Sequence, residues 1–362
     1  MVRMNRLSAA AIASIISNGG VFVGAERYTV YFIRHADSVW NAYNDKTEVD
    51  EAFAREMFTP DKCETYEIDR RTDQFNAGKI KRDVVVQGTN TFGGVLQQGQ
   101  MMLLQKYVDA GLSPRGEWQS ECLGRWIETT CPASGSEAGL SFDETDACRL
   151  AGVVDRERAV FAVSNLVRTQ DTMQLAFKST RCKEDAPTET PVHVFDWLQE
   201  RGCAPDARPA SAAGDSAPAA SRASSKCPFV ISGEKSDICT KSTVEQNNVY
   251  DKMMEFVKST AVARDSTKPP IFFVTGHSTW LQEFFRAKLP RSSVEIQGKY
   301  RFQDLNDKLG PNDNEIKLTK QKLGNASVLR FEVEIGEDVS KSFIVPGVTK
   351  LVYGYFKAEK KK

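Results

Sequence analysis

Histidine is scarce in this chain, with three in 362 residues. None of the eight cysteines stands in a CxxC pair. Tetrahedral thiolate sites need ligands in close pairs, so the spacing argues against a structural zinc centre. Net charge is absent too, with 48 Lys and Arg against 48 Asp and Glu. Without a basic excess there is no reason to expect a nucleic-acid partner. A small anion needs only a local cluster of charge and stays open as a ligand. The apolar run "LSAAAIASII" is too short and too rich in Ala and Ser for a membrane span, and no other stretch comes close.

Acid is missing from residues 1–25, which carry Arg3 and Arg6 but no Asp or Glu before Glu26. Three readings of this segment stay open. A basic start, an apolar run and a small-residue end fit a secretory signal, and the Arg/Ser-bearing, acid-free character fits an organellar transit peptide. The third is a loosely packed N-terminal segment of a cytosolic enzyme. The cysteines divide in the same way, being compatible with disulfides in a secreted protein or with reduced thiols elsewhere.

What is present is a series of short apolar runs at wide intervals. "RYTVYFI" reads as a buried strand ending at Arg34, and "RAVFAV", "PVHVF" and "PPIFFVTGHS" read as three more. "LQQGQMMLLQKYVDAGLSP" reads as a helix, with Met101, Leu104 and Val108 on one face and Gly111 as its stop. "TQDTMQLAF", "VYDKMMEFV" and "TWLQEFF" are expected to be helical, whereas "CPASGSEAGLSFDETDACRLAG" is loop-like. "ASVLRFEVEI" and "KLVYGYF" close the chain as alternating strands. Strands alternating with helices predict an α/β fold in three layers, a mostly parallel sheet covered on both faces. One domain over 26–362 is expected, with insertions around 42–82, 112–155 and 204–240 forming the lid and rim. The Ala/Ser/Pro-rich stretch 204–226 is expected to be disordered.

Three of these strands end in polar groups: Arg34 and His35, Arg168 in "SNLVRT", and His277 in "GHS". In an open α/β sheet, ligands bind beyond the carboxyl ends of parallel strands, so these groups can converge. Two arginines and two histidines, with helix N-termini nearby, would make a phosphate-sized anion site.

The ordered set "RHADSVWN", "SNLVRTQDT", "LQE" and "GHS" resembles the successive signatures of the histidine phosphatase superfamily, which includes cofactor-dependent phosphoglycerate mutases and many phosphatases. "RDVVVQG" with "LQQGQMM", and "LGNASVLRF", resemble further segments of that family, so the likeness runs from residue 28 to about 335. It implies a phosphoglycerate mutase-like fold and a phosphohistidine intermediate on His35. Arg34, Arg168 and His277 would hold the phosphoryl oxygens, with Asn41 assisting. It implies neither a metal nor an organic cofactor, and a small phosphorylated substrate, or alternatively a phosphoprotein. The chemistry is self-consistent: phosphoryl transfer needs an in-line nucleophile and compensation of charge on the equatorial oxygens. The attacking imidazole must be neutral, and nearby guanidiniums favour that form. The family places the acid for the leaving oxygen shortly after the third strand, where "DWLQER" supplies Glu200, which would need a raised pKa. Asp196 and Glu283 are rivals. Asn41 could equally cap a helix, and His193 fits no motif and reads as a packed or edge histidine.

Two positions depart from the family pattern. Ala36 stands where glycine is usual, and its methyl would crowd the phosphate or the turn while its N–H remains a donor. Asp37 replaces the commoner glutamate. "RGCAPDARP" after Glu200 differs from the mutase continuation, and "GHSTWLQEFF" is similar to eukaryotic phosphatase-type members. A phosphatase is therefore expected, with a mutase as the alternative, and a non-catalytic phospho-ligand binder as the alternative of another class.

Overall fold

The computed structural model describes residues 26–45, 63, 108–131, 142–152, 156–177, 192–200, 205–209, 229–231, 249–263, 268–288, 322–345, 348–354 and 356. Residues 1–25, most of 42–82 and 204–226, and the expected helix as far as residue 107 lie outside these. Eight strands join in one sheet: β1 (Glu26–Arg34), β2 (Ala159–Ser164), β3 (Val192–Phe195), β4 (Phe229–Ile231), β5 (Ile271–Gly276), β6 (Val328–Ile335), β7 (Phe343–Ile344) and β8 (Lys350–Tyr353). The order is β4-β3-β2-β5-β1-β6-β7, with β8 also paired to β6. β1–β5, β2–β5, β2–β3 and β3–β4 are parallel, and the pairings of β6 with β1, β7 and β8 are antiparallel. β2 and β5 are buried along their whole length, as continuous apolar runs in a doubly covered sheet should be.

The helices are α1 (Val39–Asp45), α2 (Pro114–Thr130), α3 (Phe142–Leu150), α4 (Val167–Ala176), α5 (Val249–Ala263) and α6 (Ser278–Lys288). Val30 and Phe32 of β1 share one core with Met253, Met254 and Val257 of α5 and Trp280, Phe284 and Phe285 of α6. Tyr31 and Ile33 point the other way, into a core with Leu123 and Ile127 of α2 and Met173 and Ala176 of α4. Period-two alternation along β1 thus supplies both faces, and the three-layer α/β arrangement follows. Phe32 stacks on Trp280 at a ring separation of 5.5 Å, and Tyr31 on Phe273 at 5.3 Å. Each such large apolar side chain contributes about 1.5–3 kcal/mol by burial.

Two expectations are corrected. Within the supposed loop 131–152, Phe142–Leu150 is a helix, which buries Ala147, Cys148 and Leu150. The segment 112–155 is not simply lid and rim, because α2 buries Trp118, Leu123 and Ile127. Ser113 caps α2 by accepting from the Gly116 N–H at 3.1 Å, and Pro114 opens its first turn. Cys63–Cys122 and Cys131–Cys148 are disulfides, which settles the state of these four cysteines. No helix among the described residues is long and apolar enough to cross a membrane.

Candidate active site

The parallel strands end level with one another, Arg34 beside Gly276 and Val163 beside Thr275. The His35 N–H donates to the Gly276 carbonyl at 3.0 Å, which locks the end of β1 to the end of β5. Glycine suits position 276, since a Cβ there would stand 3.0 Å from the Phe32 ring and press on it. His35 and His277 therefore meet, with ring centroids 4.9 Å apart. Both are buried, as are Arg34 and Arg168. Arg34 donates to the Leu323 carbonyl at 2.6 Å.

Each imidazole is oriented by its outer nitrogen. His35 Nδ1–H donates to the Ala36 carbonyl at 2.6 Å, leaving Nε2 with the lone pair. His277 Nε2 lies 3.2 Å from Ser164 Oγ, and Nδ1 faces Glu200 at 3.6 Å. The Ser164 hydroxyl also lies 3.4 Å from Asn165 Oδ1: donation to His277 Nε2 leaves the ring proton on Nδ1, and donation to Asn165 puts it on Nε2. Burial, then the positive charge of Arg168, the His277 ring and Arg34, hold His35 well below its ordinary pKa of 6.5. Burial and Arg168 bring His277 down to about 3, against the opposing pull of Glu200. Both rings are neutral near pH 7.

The carboxylate that pairs with Arg168 and faces His277 is that of Glu200, which accepts from Arg168 Nη2 at 2.6 Å and from Thr279 Oγ1 at 3.3 Å. Its expected raised pKa is corrected. Burial pushes Glu200 up, but Arg168, His277 and Arg34 outweigh it and bring the carboxyl to about 2. Asp196 opens the short 3-10 turn after β3, and Glu283 sits half-buried on α6. His193 is a half-buried strand residue stacked against Phe195 at 6.1 Å.

Asn41 is engaged through its main chain. It lies in the first turn of α1, partly exposed, and its N–H donates to Ser38 Oγ, so Ser38 is the capping residue. Its side chain makes no hydrogen bond among the described residues.

Ala36 also differs from expectation. Its methyl packs with Leu112 and Ala326 in a small apolar cluster, and its backbone has no positive φ. Its N–H is not a spare donor, because Thr172 Oγ1 accepts it at 2.9 Å. Asp37 is fully buried, pairing with Arg115 at 2.7 Å and accepting from Ser113 Oγ at 2.7 Å. Its N–H donates to Gln119 Oε1 at 2.9 Å. α2 approaches so closely that a Cβ on Gly116 would stand 1.9 Å from the Asp37 carbonyl oxygen. Ser164, Thr172, Arg115, Gln119 and Asp206 are contributors that sequence reading did not single out. The spacing of Thr172 four residues after Arg168 was a usable sign, since the two share a helix face.

One ligating atom from each of His35, Glu200 and His277 lies within 4.8 Å of the others, an arrangement able to hold a divalent cation. The surrounding charge opposes that use. Arg34 and Arg168 both act on this cluster, and two unit charges 4 Å apart interact by about 4 kcal/mol at an effective dielectric near 20. The same charges attract an anion, and the Arg168 guanidinium suits a phosphoryl group.

No family model and no curated protein matches the chain. Among solved structures it is similar to the ecdysone phosphate phosphatase of Bombix mori in complex with tungstate, at 13% identity over 88% of this chain and 92% of that one, TM-score 0.40. It is also similar to the phosphoserine phosphatase of Entamoeba histolytica, at 12% identity over 89% and 96%, TM-score 0.31. A mycobacterial glucosyl-3-phosphoglycerate phosphatase matches at 14% identity over 89% and 98%, TM-score 0.37. All three are phosphatases by name. Likeness at this level assigns neither substrate nor mechanism.

Proposed function

We propose that this chain is a phosphoric-monoester hydrolase that works through a phosphohistidine on His35. The observation that carries the reading is a neutral imidazole, fixed through Nδ1 to the Ala36 carbonyl, buried among Arg34, Arg168, His277 and a carboxylate. A binding pocket for phosphate needs the cations but has no use for an oriented lone pair among them. In the proposed reaction His35 Nε2 attacks phosphorus, Arg34, Arg168 and His277 compensate charge on the equatorial oxygens, and Glu200 protonates the leaving oxygen. Water then attacks the phosphohistidine and returns a proton to Glu200. Small phosphate monoesters are the proposed substrate class. The two disulfides favour the secretory reading of residues 1–25, because such bonds persist in oxidising compartments.

Phosphate release from p-nitrophenyl phosphate tests this directly. His35→Ala is expected to lower kcat/KM by at least about 10³-fold. A rapid acid quench of the wild type during turnover should trap no lasting phosphoenzyme, whereas an alkaline quench should preserve one. Equal activity of wild type and variant would sink the enzyme reading. Isomerisation of 3-phosphoglycerate with a bisphosphoglycerate primer would make the chain a mutase instead.

A further inference from the structure

One buried acid beside the cluster takes no part in that reaction. Asp206 lies in a 3-10 turn, Pro205–Ala207, six residues beyond Glu200 in the chain and against the same arginine. Arg168 divides its N–H groups unequally. Nη1 donates to the Asp206 main-chain carbonyl. Nη2 donates to Glu200 at 2.6 Å, with Asp206 Oδ2 3.5 Å away. Nε is buried and has no hydrogen-bond partner among the described residues.

Nε and Nη2 form the guanidinium edge that accepts two oxygens of a phosphoryl group side by side. Glu200 occupies one nitrogen of that edge and leaves the other unused. Its side chain is 21% exposed, against 6% for Asp206, and it has no main-chain hold on the arginine to match the Asp206 carbonyl. A dianion that takes the edge with two oxygens therefore displaces Glu200 and leaves Asp206 in place.

We propose that Asp206 is a positioning residue: it keeps hold of Arg168 while a phosphoryl group takes the Nε–Nη2 edge, so that Glu200 is released from the guanidinium and becomes the group that carries the leaving oxygen's proton. The inference rests on the phosphomonoesterase reading and deepens it. Glu200 faces Arg168 from α4, Arg34 from the end of β1, and His277 just after β5. Asp206 faces Arg168 and Glu200, and burial raises it to about 6 against the pull of the arginine, with the Glu200 charge adding to the rise. In the free site the cations win over burial at Glu200. Once Arg168 is neutralised by a dianion, burial and mutual repulsion make the Glu200–Asp206 pair take up one proton from solvent, and the displaced, more exposed Glu200 carries it to the leaving oxygen. The His35 Nε2–phosphorus bond then forms as the phosphorus–oxygen bond breaks, with that proton passing to the leaving oxygen. In the second step the attacking water loses its proton to Glu200 as the nitrogen–phosphorus bond breaks.

Tungstate, a dianion near neutral pH, probes the release step without turnover. Calorimetric titration of the wild-type chain at pH 7 in two buffers of different ionisation enthalpy should show uptake of about one proton, lost in Glu200→Gln. Binding with no proton uptake overturns the proposal. Asp206→Asn keeps the main-chain carbonyl and removes the charge. Its kcat for an alkyl phosphate should fall about tenfold, the alkaline limb of its kcat profile should move to lower pH, and KM should not rise. p-Nitrophenyl phosphate, whose leaving group needs little protonation, should lose less. An unmoved alkaline limb, or kcat and KM worsening together for both substrates with a lower Tm, would mean that Asp206 is merely structural. Phosphate release that does not depend on His35 would instead defeat the phosphatase reading, a failure separable from that of the tungstate measurement.

Discussion

The two walls of the pocket are built on different terms. On the His35 wall the main-chain N–H groups of Ala36 and Asp37 and the buried Asp37 carboxylate all have fixed partners. Ala36 N–H goes to Thr172, Asp37 N–H to Gln119, and the Asp37 carboxylate to Arg115 and Ser113. On the Glu200 wall two carboxylates share one guanidinium whose Nε has no hydrogen-bond partner, and the His277 Nδ1 facing them is likewise unbonded. A nucleophile benefits from being held still, because in-line attack tolerates little misplacement. An acid that must gain and give a proton benefits from partners that can change. The contrast predicts that damage to the first wall registers mainly as lost stability, and damage to the second as altered dependence on pH and substrate.

Arg115→Ala should break the first wall hardest. The change strands Asp37, which is fully buried, without its cation. Losing one partner of such a pair costs about 3–5 kcal/mol, the desolvation of the orphaned charge being the larger part. Denaturant unfolding at pH 7 reads this out. A cost below about 1 kcal/mol would show that Ser113 and Gln119 hold the loop unaided.

The second wall is sharpened by pH. His277 is depressed from 6.5 to about 3, so between those values the unfolded chain binds the proton and the folded chain does not. Stability from this group is present above the unfolded pKa and is lost as pH falls from 6.5 toward 3. Discounting for its coupling to Glu200, the loss on going from pH 7 to 4 should be about 2 kcal/mol. His277→Asn should flatten that part of the curve. Asp206 works in the opposite sense, since its carboxyl is raised from 3.8 to about 6 and its contribution is lost as pH rises through that window. Parallel curves for wild type and His277→Asn would mean that the ring is charged in the folded state.

The walls also differ in how far the sequence revealed them. Arg34, His35, Arg168 and His277 were legible because each follows a buried apolar run, and parallel strands bring such ends together whatever their separation along the chain. Glu200 was legible through resemblance alone, and its ionisation was not, because that depends on Arg168 and Arg34 arriving from distant elements. α2 carried Ser113, Pro114 and apolar Trp118, Leu123 and Ile127, a helix start and face. Its role behind His35 nevertheless depends on Gly116 meeting Asp37, a contact across 79 residues that no local pattern encodes. Asp206 was hidden differently, standing near the start of the Ala/Ser/Pro-rich stretch 204–226 that reads as disordered, although the structure holds it buried in a 3-10 turn.

Ala36 is where the first wall meets the family pattern, and it supplies the gentlest test. If its methyl crowded the phosphate, Ala36→Gly would raise activity. The methyl is instead buried against Leu112 and Ala326, and the residue has no positive φ for glycine to relieve. Removing it takes away packing and adds freedom to the unfolded chain, together about 1 kcal/mol. kcat/KM should stay within about threefold, because the carbonyl that fixes His35 Nδ1 and the N–H held by Thr172 belong to the backbone and survive the change. Unfolding and p-nitrophenyl phosphate turnover measured on the same preparation decide the point. A tenfold rise in kcat/KM would mean that the methyl intrudes on the phosphate, and a tenfold fall that the His35 wall depends on the stiffness of this residue.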